Sequence, residues 1–367
     1  MPVRLATFNV ENLLRRFDFS GFHDRGGQDR AIALFDIDKG EEFRALERAR
    51  AVAQSDDARQ QTALSIAAAD ADILCLQEVE SEEALAAFEH GYLFRMLGAS
   101  YRGRHVSRGN DPRGIDVGLM FRERTAGGEP IELVTTRSHA PRSFTELGVL
   151  TPELEERGFH ARDRVFRRDC LEADFRVGER SLTLFVVHLK SMGGGRDGVS
   201  GREASMPLRT AEAKAVRRIV ERRFPNGDGA WAICGDLNDY RERLVVGGGV
   251  LDDFTFTPMR EEGSSLDVFL SDGFAVDPVA RRPEDDRWTL FHARGPQERH
   301  LCQLDYLLLS PQLAAANAAA IPTIVRAGQP WRTPFPPGQE VRRFPRLGWD
   351  RPKASDHCPA AVTLDLI

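Results

Sequence analysis

Nine short apolar runs spread through the chain leave it little freedom of fold. They read VRLATF (3–8), DILCLQ (72–77), DVGLMF (116–121), IELVTT (131–136), CLEADFRV (170–177), LTLFVVHL (182–189), AWAICGD (230–236), QLDYLLLS (303–310) and the closing AAVTLDL (360–366). Some alternate with period two and others are apolar throughout, the mixture expected when sheets face each other on one side and helices on the other. The pattern predicts a layered α/β sandwich. Helical stretches are fewer. Residues 41–69 are rich in Glu, Arg and Ala and lack proline, with a break near Ser55–Asp57. Over 208–224, Ala211, Ala215, Val216, Ile219, Val220 and Phe224 mark one face, with Lys214, Arg217, Arg218 and Glu221 opposite.

With 367 residues, 41% hydrophobic and 29% charged, the chain can bury a large core. A net charge of −6 provides no global positive field, so a polyanionic substrate must be held by a local patch or a bound cation. Five cysteines are an odd number, and Cys75 and Cys234 lie inside apolar runs, which predicts buried free thiols in a reducing compartment. No run approaches a membrane span and the first residues do not read as a leader, so the expected location is cytoplasmic, without membrane contact. Segments 15–40, 138–166, 191–206 and 322–353 carry no core pattern; the simplest organisation is one domain, 1–367, with these as loop insertions.

Chemistry-bearing residues fall at the downstream ends of the predicted strands: Asn9, Glu78, His188, Asp236, Asn238, Asp305, and the pair Asp356–His357. A strand delivers a polar group to a sheet rim with a rigidity that a free loop lacks. Each residue alone also has an ordinary reading, as a turn former, a helix-capping acid or a satisfied structural histidine. Their joint order and spacing favour a site. Converging carboxylates repel unless they are protonated or share a cation, and oxygen donors of this kind suit Mg²⁺ or Mn²⁺.

The set Asn9, Glu78, His188, GDLN (235–238), LDYLLLS (304–310) and SDHCP (355–359) resembles the endonuclease/exonuclease/phosphatase superfamily, in that family's order and over nearly the whole chain. The resemblance implies a four-layer α/β sandwich with two packed, mostly antiparallel sheets flanked by helices. It implies that Glu78 is the principal metal ligand, with Asn9 beside it and Asp356 completing the shell. Asp236 and Asn238 would hold the attacking water, His188 would donate to the scissile phosphate, and Asp305 would orient His357 as general base. Two positions depart from the family's usual pattern. Cys170 stands where a proline is common, although Arg168 remains a phosphate-contact candidate, and Asp116 stands where a small apolar residue is usual.

That catalytic set suits nucleases, polyphosphate phosphatases and phospholipases alike, so specificity must come from loops. Segment 322–353 interleaves seven cations with Trp331, Phe335, Phe344 and Trp349, a composition suited to phosphate contact and base stacking, or else to a proline-ordered surface loop. After His188, the glycine-rich stretch brings Lys190, Arg196, Arg202 and Arg209 near the expected site. The expected function is a divalent-metal-dependent nuclease acting on nucleic acid or a nucleotide-containing phosphodiester. The alternatives are a phosphomonoesterase on a soluble polyphosphate such as an inositol phosphate, and a catalytically silent binding module.

Overall fold

The computed structural model describes residues 2–13, 38–42, 55–193, 195, 198–249, 252–295 and 298–367. Among the described residues fifteen strands follow one another: β1 (Pro2–Leu13), β2 (Ile73–Val79), β3 (Gly103–Ser107), β4 (Asp116–Phe121), β5 (Ile131–Ser138), β6 (Cys170–Val177), β7 (Arg180–His188), β8 (Trp231–Asp236), β9 (Glu242–Gly249), β10 (Asp252–Arg260), β11 (Leu290–Arg294), β12 (Glu298–Cys302), β13 (Asp305–Leu309), β14 (Thr323–Ile324) and β15 (Ala360–Asp365). Two large sheets take the orders β14-β15-β1-β2-β4-β3 and β13-β8-β7-β6-β5. Within them β1 pairs with β2, and β7 with β8, in parallel; the other pairs are antiparallel.

The continuous apolar runs are explained by burial on both faces. In β1 and β2, Val3, Leu5, Ile73 and Cys75 meet Phe175, Leu184, Cys234 and Leu307 of the other sheet. The intervening Ala6, Phe8, Leu74 and Leu76 point outward against Ala63, Ile66 and Leu85, under helices α1 (Asp56–Ala69) and α2 (Glu82–Phe88). On the second sheet, Phe185, Val187, Trp231 and Ile233 pack outward against α3 (Gly201–Arg223), through Ala211, Ala215, Val216 and Ile219. The layers therefore run helix, sheet, sheet, helix, and a strand with both faces covered has no need of polar alternation.

Ser55 caps α1 by accepting the Ala58 N–H, so a helix starts where the sequence predicts a break, while the upstream stretch 43–54 lies outside the described residues. Helix α3 begins seven residues before the expected 208, with a Ser200–Glu203 capping box and Pro207 inside its second turn. Proline and Gly201 mask those turns in the sequence. A third sheet of order β10-β9-β12-β11 also escapes the sequence reading. Its strands carry three consecutive glycines (Gly247–Gly249), Pro258 and a polar ERHLC run, none of which reads as core. Segment 138–166 is not a bare loop either: Phe144, Leu147, Val149, Leu154 and Val165 enter the core beside α3.

Gly235, in the parallel pairing of β7 and β8, cannot be replaced quietly. It has φ 152°, and a Cβ there would lie 1.9 Å from the Val187 carbonyl oxygen. Gly235→Ala should therefore force β8 away from β7 and cost about 1–3 kcal/mol of stability, as overpacking does. Urea unfolding with an unchanged midpoint would refute this close approach.

Candidate functional site

Strand register alone aligns three of the functional residues. His188, the last residue of β7, is the register partner of Asp236, the last of β8, and Asp236 is the partner of Asp305, the first of β13. Asp305 thus sits at the upstream end of its strand, not the downstream end expected: β13 runs antiparallel to β8, so it starts at the rim where β8 stops. The other sheet contributes Asn9 and Glu78, with Asn9 and Gln77 in register and the pairings of β2 with both β1 and β4 shifting just beyond them, at Glu78. His357 arrives from the segment before β15 and bridges to Leu290.

The backbone is unusual at this rim. Glu11, Asn12, Glu78 and Asn238 all have positive φ, at 50°, 63°, 66° and 51°. Such conformations cost about 1–3 kcal/mol each in residues with a side chain, and persist where surrounding contacts enforce them. Here the contacts are visible: the Asn12 N–H donates to Glu78 Oε2 at 3.0 Å and the Asn238 N–H to Asp236 Oδ1 at 2.8 Å.

Asn9 joins the two sheets. Its Nδ2 donates to Asp236 Oδ2 at 3.0 Å and to Glu78 Oε1 at 3.4 Å, while its Oδ1 accepts the Glu11 N–H at 3.1 Å. Asn9 therefore offers the carboxylates its amide hydrogens and spends its oxygen on the backbone. His357 Nδ1 lies 2.9 Å from the fully buried Asp305 Oδ2, and its Nε2 faces Asp236 Oδ2 at 3.8 Å and Asp356 Oδ1 at 4.0 Å. His188 Nε2 is 3.5 Å from Asp236 Oδ2, 4.0 Å from Glu78 Oε1 and 3.3 Å from Arg168 Nη2, whereas its buried Nδ1 has no partner.

Burial and neighbouring charges set these groups apart. Burial, then the Asp356 and Asp236 charges, push Glu78 up to about 7. Burial and Asp305 push Asp236 up to about 6 against the pull of His357. His188 is held well below the usual imidazole range by burial and by the Arg168 charge, so it stays neutral. His357 goes the other way: burial opposes its charge, but Asp305, Asp236 and Asp356 together hold it well above that range. Asp356, a partly exposed side chain, is kept low by the charges of His357 and Lys353 against the cost of desolvation.

Among the described residues no three His, Cys, Asp or Glu side chains form a ready-made cation cage. The donors still fit Mg²⁺ or Mn²⁺. Glu78 and Asp356 are crowded oxygen donors, and Mg²⁺ in particular is commonly held by one or two carboxylates, with water and substrate phosphate filling the other positions.

The remaining expected residues lie around this centre in different ways. Arg168 is buried, with Nη1 donating to the Leu189 carbonyl at 3.4 Å and Nε 3.6 Å from Asp111. Lys190 Nζ donates to the Ser191 carbonyl at 2.9 Å. The Arg202 guanidinium is spent on Asp239, Glu261 and the carbonyls of Tyr240 and Gly263, and Arg209 lies buried beside Asp239. Arg196 and most of segment 15–40 lie outside the described residues. Asp116, at the start of β4, accepts the Gly109 N–H at 2.7 Å, a tie across the β3–β4 connection.

Sequence reasoning passed over two carboxylates that hold the rim together. Glu212 on α3 accepts the N–H groups of Arg167 and Lys190, which flank Arg168 and Leu189. Glu11 accepts the Asp356 N–H at 3.0 Å and pairs with Arg351 and Lys353. Glu11 had a local signal, an acid two residues beyond Asn9; Glu212 had none, being one glutamate among a helix's many charges.

A sequence model described as the Endonuclease/Exonuclease/phosphatase family matches residues 6–357. No curated protein matches in sequence. Among solved structures, truncated Caenorhabditis elegans TDP2 is similar at 13% identity and TM-score 0.50, covering 99% of this chain and 98% of that one. A family protein from Bacteroides thetaiotaomicron gives 13% identity and TM-score 0.50, covering 99% and 95%. Another, from Leptotrichia buccalis, gives 11% and 0.50, covering 99% and 100%. At these identities the likeness establishes the fold, two large and mostly antiparallel sheets with few helices.

The geometry makes Asp305 a positioning residue for His357. Asp305→Asn should lower turnover by about 10²- to 10⁴-fold, as should His357→Ala, with both proteins folded. Near-normal kcat in either variant would remove the pair from the chemistry.

Proposed function

Since the chain belongs to the endonuclease/exonuclease/phosphatase family, and so to the phosphoesterase type of hydrolase, we propose that it is a Mg²⁺- or Mn²⁺-dependent nuclease that hydrolyses phosphodiester bonds of nucleic acid. The observation that carries this reading is the meeting of Asn9 and Glu78 from one sheet with His188, Asp236 and Asp305 from the other, around His357. Glu78 and Asp356 would hold the cation, which when bound offsets phosphoryl negative charge.

The rest of the mechanism belongs to the chain's own groups. Water attacks phosphorus in line and gives its proton to an oxygen of the Asp236 carboxylate, while the bond to the leaving oxygen breaks and that oxygen takes a proton from solvent. The already charged His357 faces that carboxylate in place of acting as the expected base. Asp305 stabilises the imidazolium, and the Asn238 N–H fixes the Asp236 carboxylate. His188, neutral and backed by Arg168, serves as a hydrogen-bonding group to a phosphate oxygen. Phosphoryl transfer requires chiefly such positioning and charge stabilisation. All five cysteines are buried free thiols, which supports a reducing, cytoplasmic setting. Among the described residues no helix is long and apolar enough to cross a membrane. We read the whole chain as one catalytic domain.

The test is a turnover panel on single-stranded DNA, duplex DNA, RNA and an inositol polyphosphate, with and without EDTA. Nucleic-acid cleavage abolished by EDTA is expected; phosphate release from the inositol substrate alone would overturn the substrate class. Glu78→Gln should raise the Mg²⁺ concentration needed for half-maximal rate, and an unchanged titration would refute its role as ligand.

A further inference from the structure

Segment 322–353 divides its aromatic residues in two. Phe335 packs on Trp288 with ring centroids 5.4 Å apart, and Phe344 joins the core under α1. Trp331 and Trp349 stay outside, 57% and 67% exposed, among the most exposed large apolar side chains described. A chain that packs two aromatics of one segment partly into its core and leaves its two tryptophans outside has not simply run out of core.

The tryptophans are held in place. The Trp331 N–H donates to the Gly348 carbonyl at 3.0 Å and the Arg332 N–H to the Trp349 carbonyl at 2.8 Å, so the two stretches of chain lie side by side. Arg343 is gripped between Trp331 and Phe335, its guanidinium carbon 4.7 Å from each ring centroid, and it donates to the Thr333 carbonyl at 2.7 Å. The guanidinium covers one ring surface of Trp331 and leaves the indole more than half exposed.

Both stretches are fastened to the catalytic tail. Gln329 Nε2 donates to the carbonyls of Ser355 and His357, at 3.2 Å each. The Ala354 N–H donates to the Gly328 carbonyl at 3.1 Å, and Arg351 and Lys353 pair with Glu11, which also accepts the Asp356 N–H. Two further cations, Arg342 and Arg346, are exposed and have no ion pair among the described residues. Two flat, solvent-open indoles, that of Trp331 stacked on Arg343, with two guanidiniums in the same segment that have no ion pair among the described residues, suit a partner that brings π-faces and negative charge together, as a single nucleic-acid strand does.

We propose that Trp331 and Trp349 form a base-stacking platform that receives bases of a single nucleic-acid strand next to the scissile phosphate. This deepens the nuclease reading and rests on it for the identity of the strand. The platform is tolerant of sequence, because every base has a stacking face and neither indole presents a hydrogen-bonding edge code.

Binding is read by intrinsic fluorescence in EDTA, with oligo-dT and an abasic oligonucleotide of the same length as probes. Of the four tryptophans, Trp231 and Trp288 are buried, so quenching by an added strand reports on Trp331 and Trp349. Oligo-dT should quench and bind more tightly than the abasic strand, and Trp331→Ala or Trp349→Ala should weaken oligo-dT binding by about 5- to 100-fold, with Trp331→Phe restoring part of the loss. Equal affinity for the two probes, or unchanged affinity in both alanine variants, would overturn the platform. Cleavage of the same strands by the metal-loaded enzyme separates the two ideas. Base-dependent binding without any cleavage would leave the platform and sink the nuclease reading, whereas cleavage without base dependence would do the reverse.

Discussion

One amide holds the site together. Asn9 donates to Glu78 within its own sheet and to Asp236 across to the other, so the separation and angle of the two sheets are fixed where chemistry is wanted. Each sheet could have settled against the other in several ways over a core of Leu, Val and Ala, because apolar packing is not directional. A buried hydrogen bond to a carboxylate is directional, and leaving that carboxylate unsatisfied would be costly. The strained backbone at Glu11, Asn12, Glu78 and Asn238 gathers around this tie.

The electrostatic character of the site follows from its crowding. Glu78, Asp236, Asp305 and Asp356 stand at one rim with two imidazoles; Asp305, Asp236 and Asp356 raise His357, whereas burial and the Arg168 charge hold His188 down. His357 sits among carboxylates and carries charge; His188 sits against Arg168 and does not. Two residues of one type thereby differ in charge through burial and the charges beside them. Burial first, and neighbouring carboxylates after it, push Glu78 and Asp236 upward, a crowding that a bound cation would relieve.

Much of this was legible in the chain. The apolar runs correspond to nine of the strands, Ser55 marks the start of α1, and Asn9, Glu78, His188, Asp236, Asn238, Asp305, Asp356 and His357 are brought to one rim. What was not legible has identifiable causes. The β9–β12 sheet has strands rich in glycine and charge, because only part of its surface meets the body. The apparent loop 138–166 is core in disguise, its apolar residues spaced by turns too short to set up a period. Arg202 reads in sequence as a cation near phosphate, yet buried acids claim its guanidinium.

The sequence by itself determined which residues reach the sheet rims, since strand period and end position are local properties of the backbone. It also determined that the chain must form layers, because runs apolar on both faces can be satisfied in no other way. Only the tertiary structure decided which of those residues meet and how they are charged. The Asn9–Asp236 tie spans 227 positions and the His357–Asp305 pair 52. No local pattern encodes such distances. They arise from strand register and sheet packing, which are settled by the whole core at once, and with them the burial that sets each pKa.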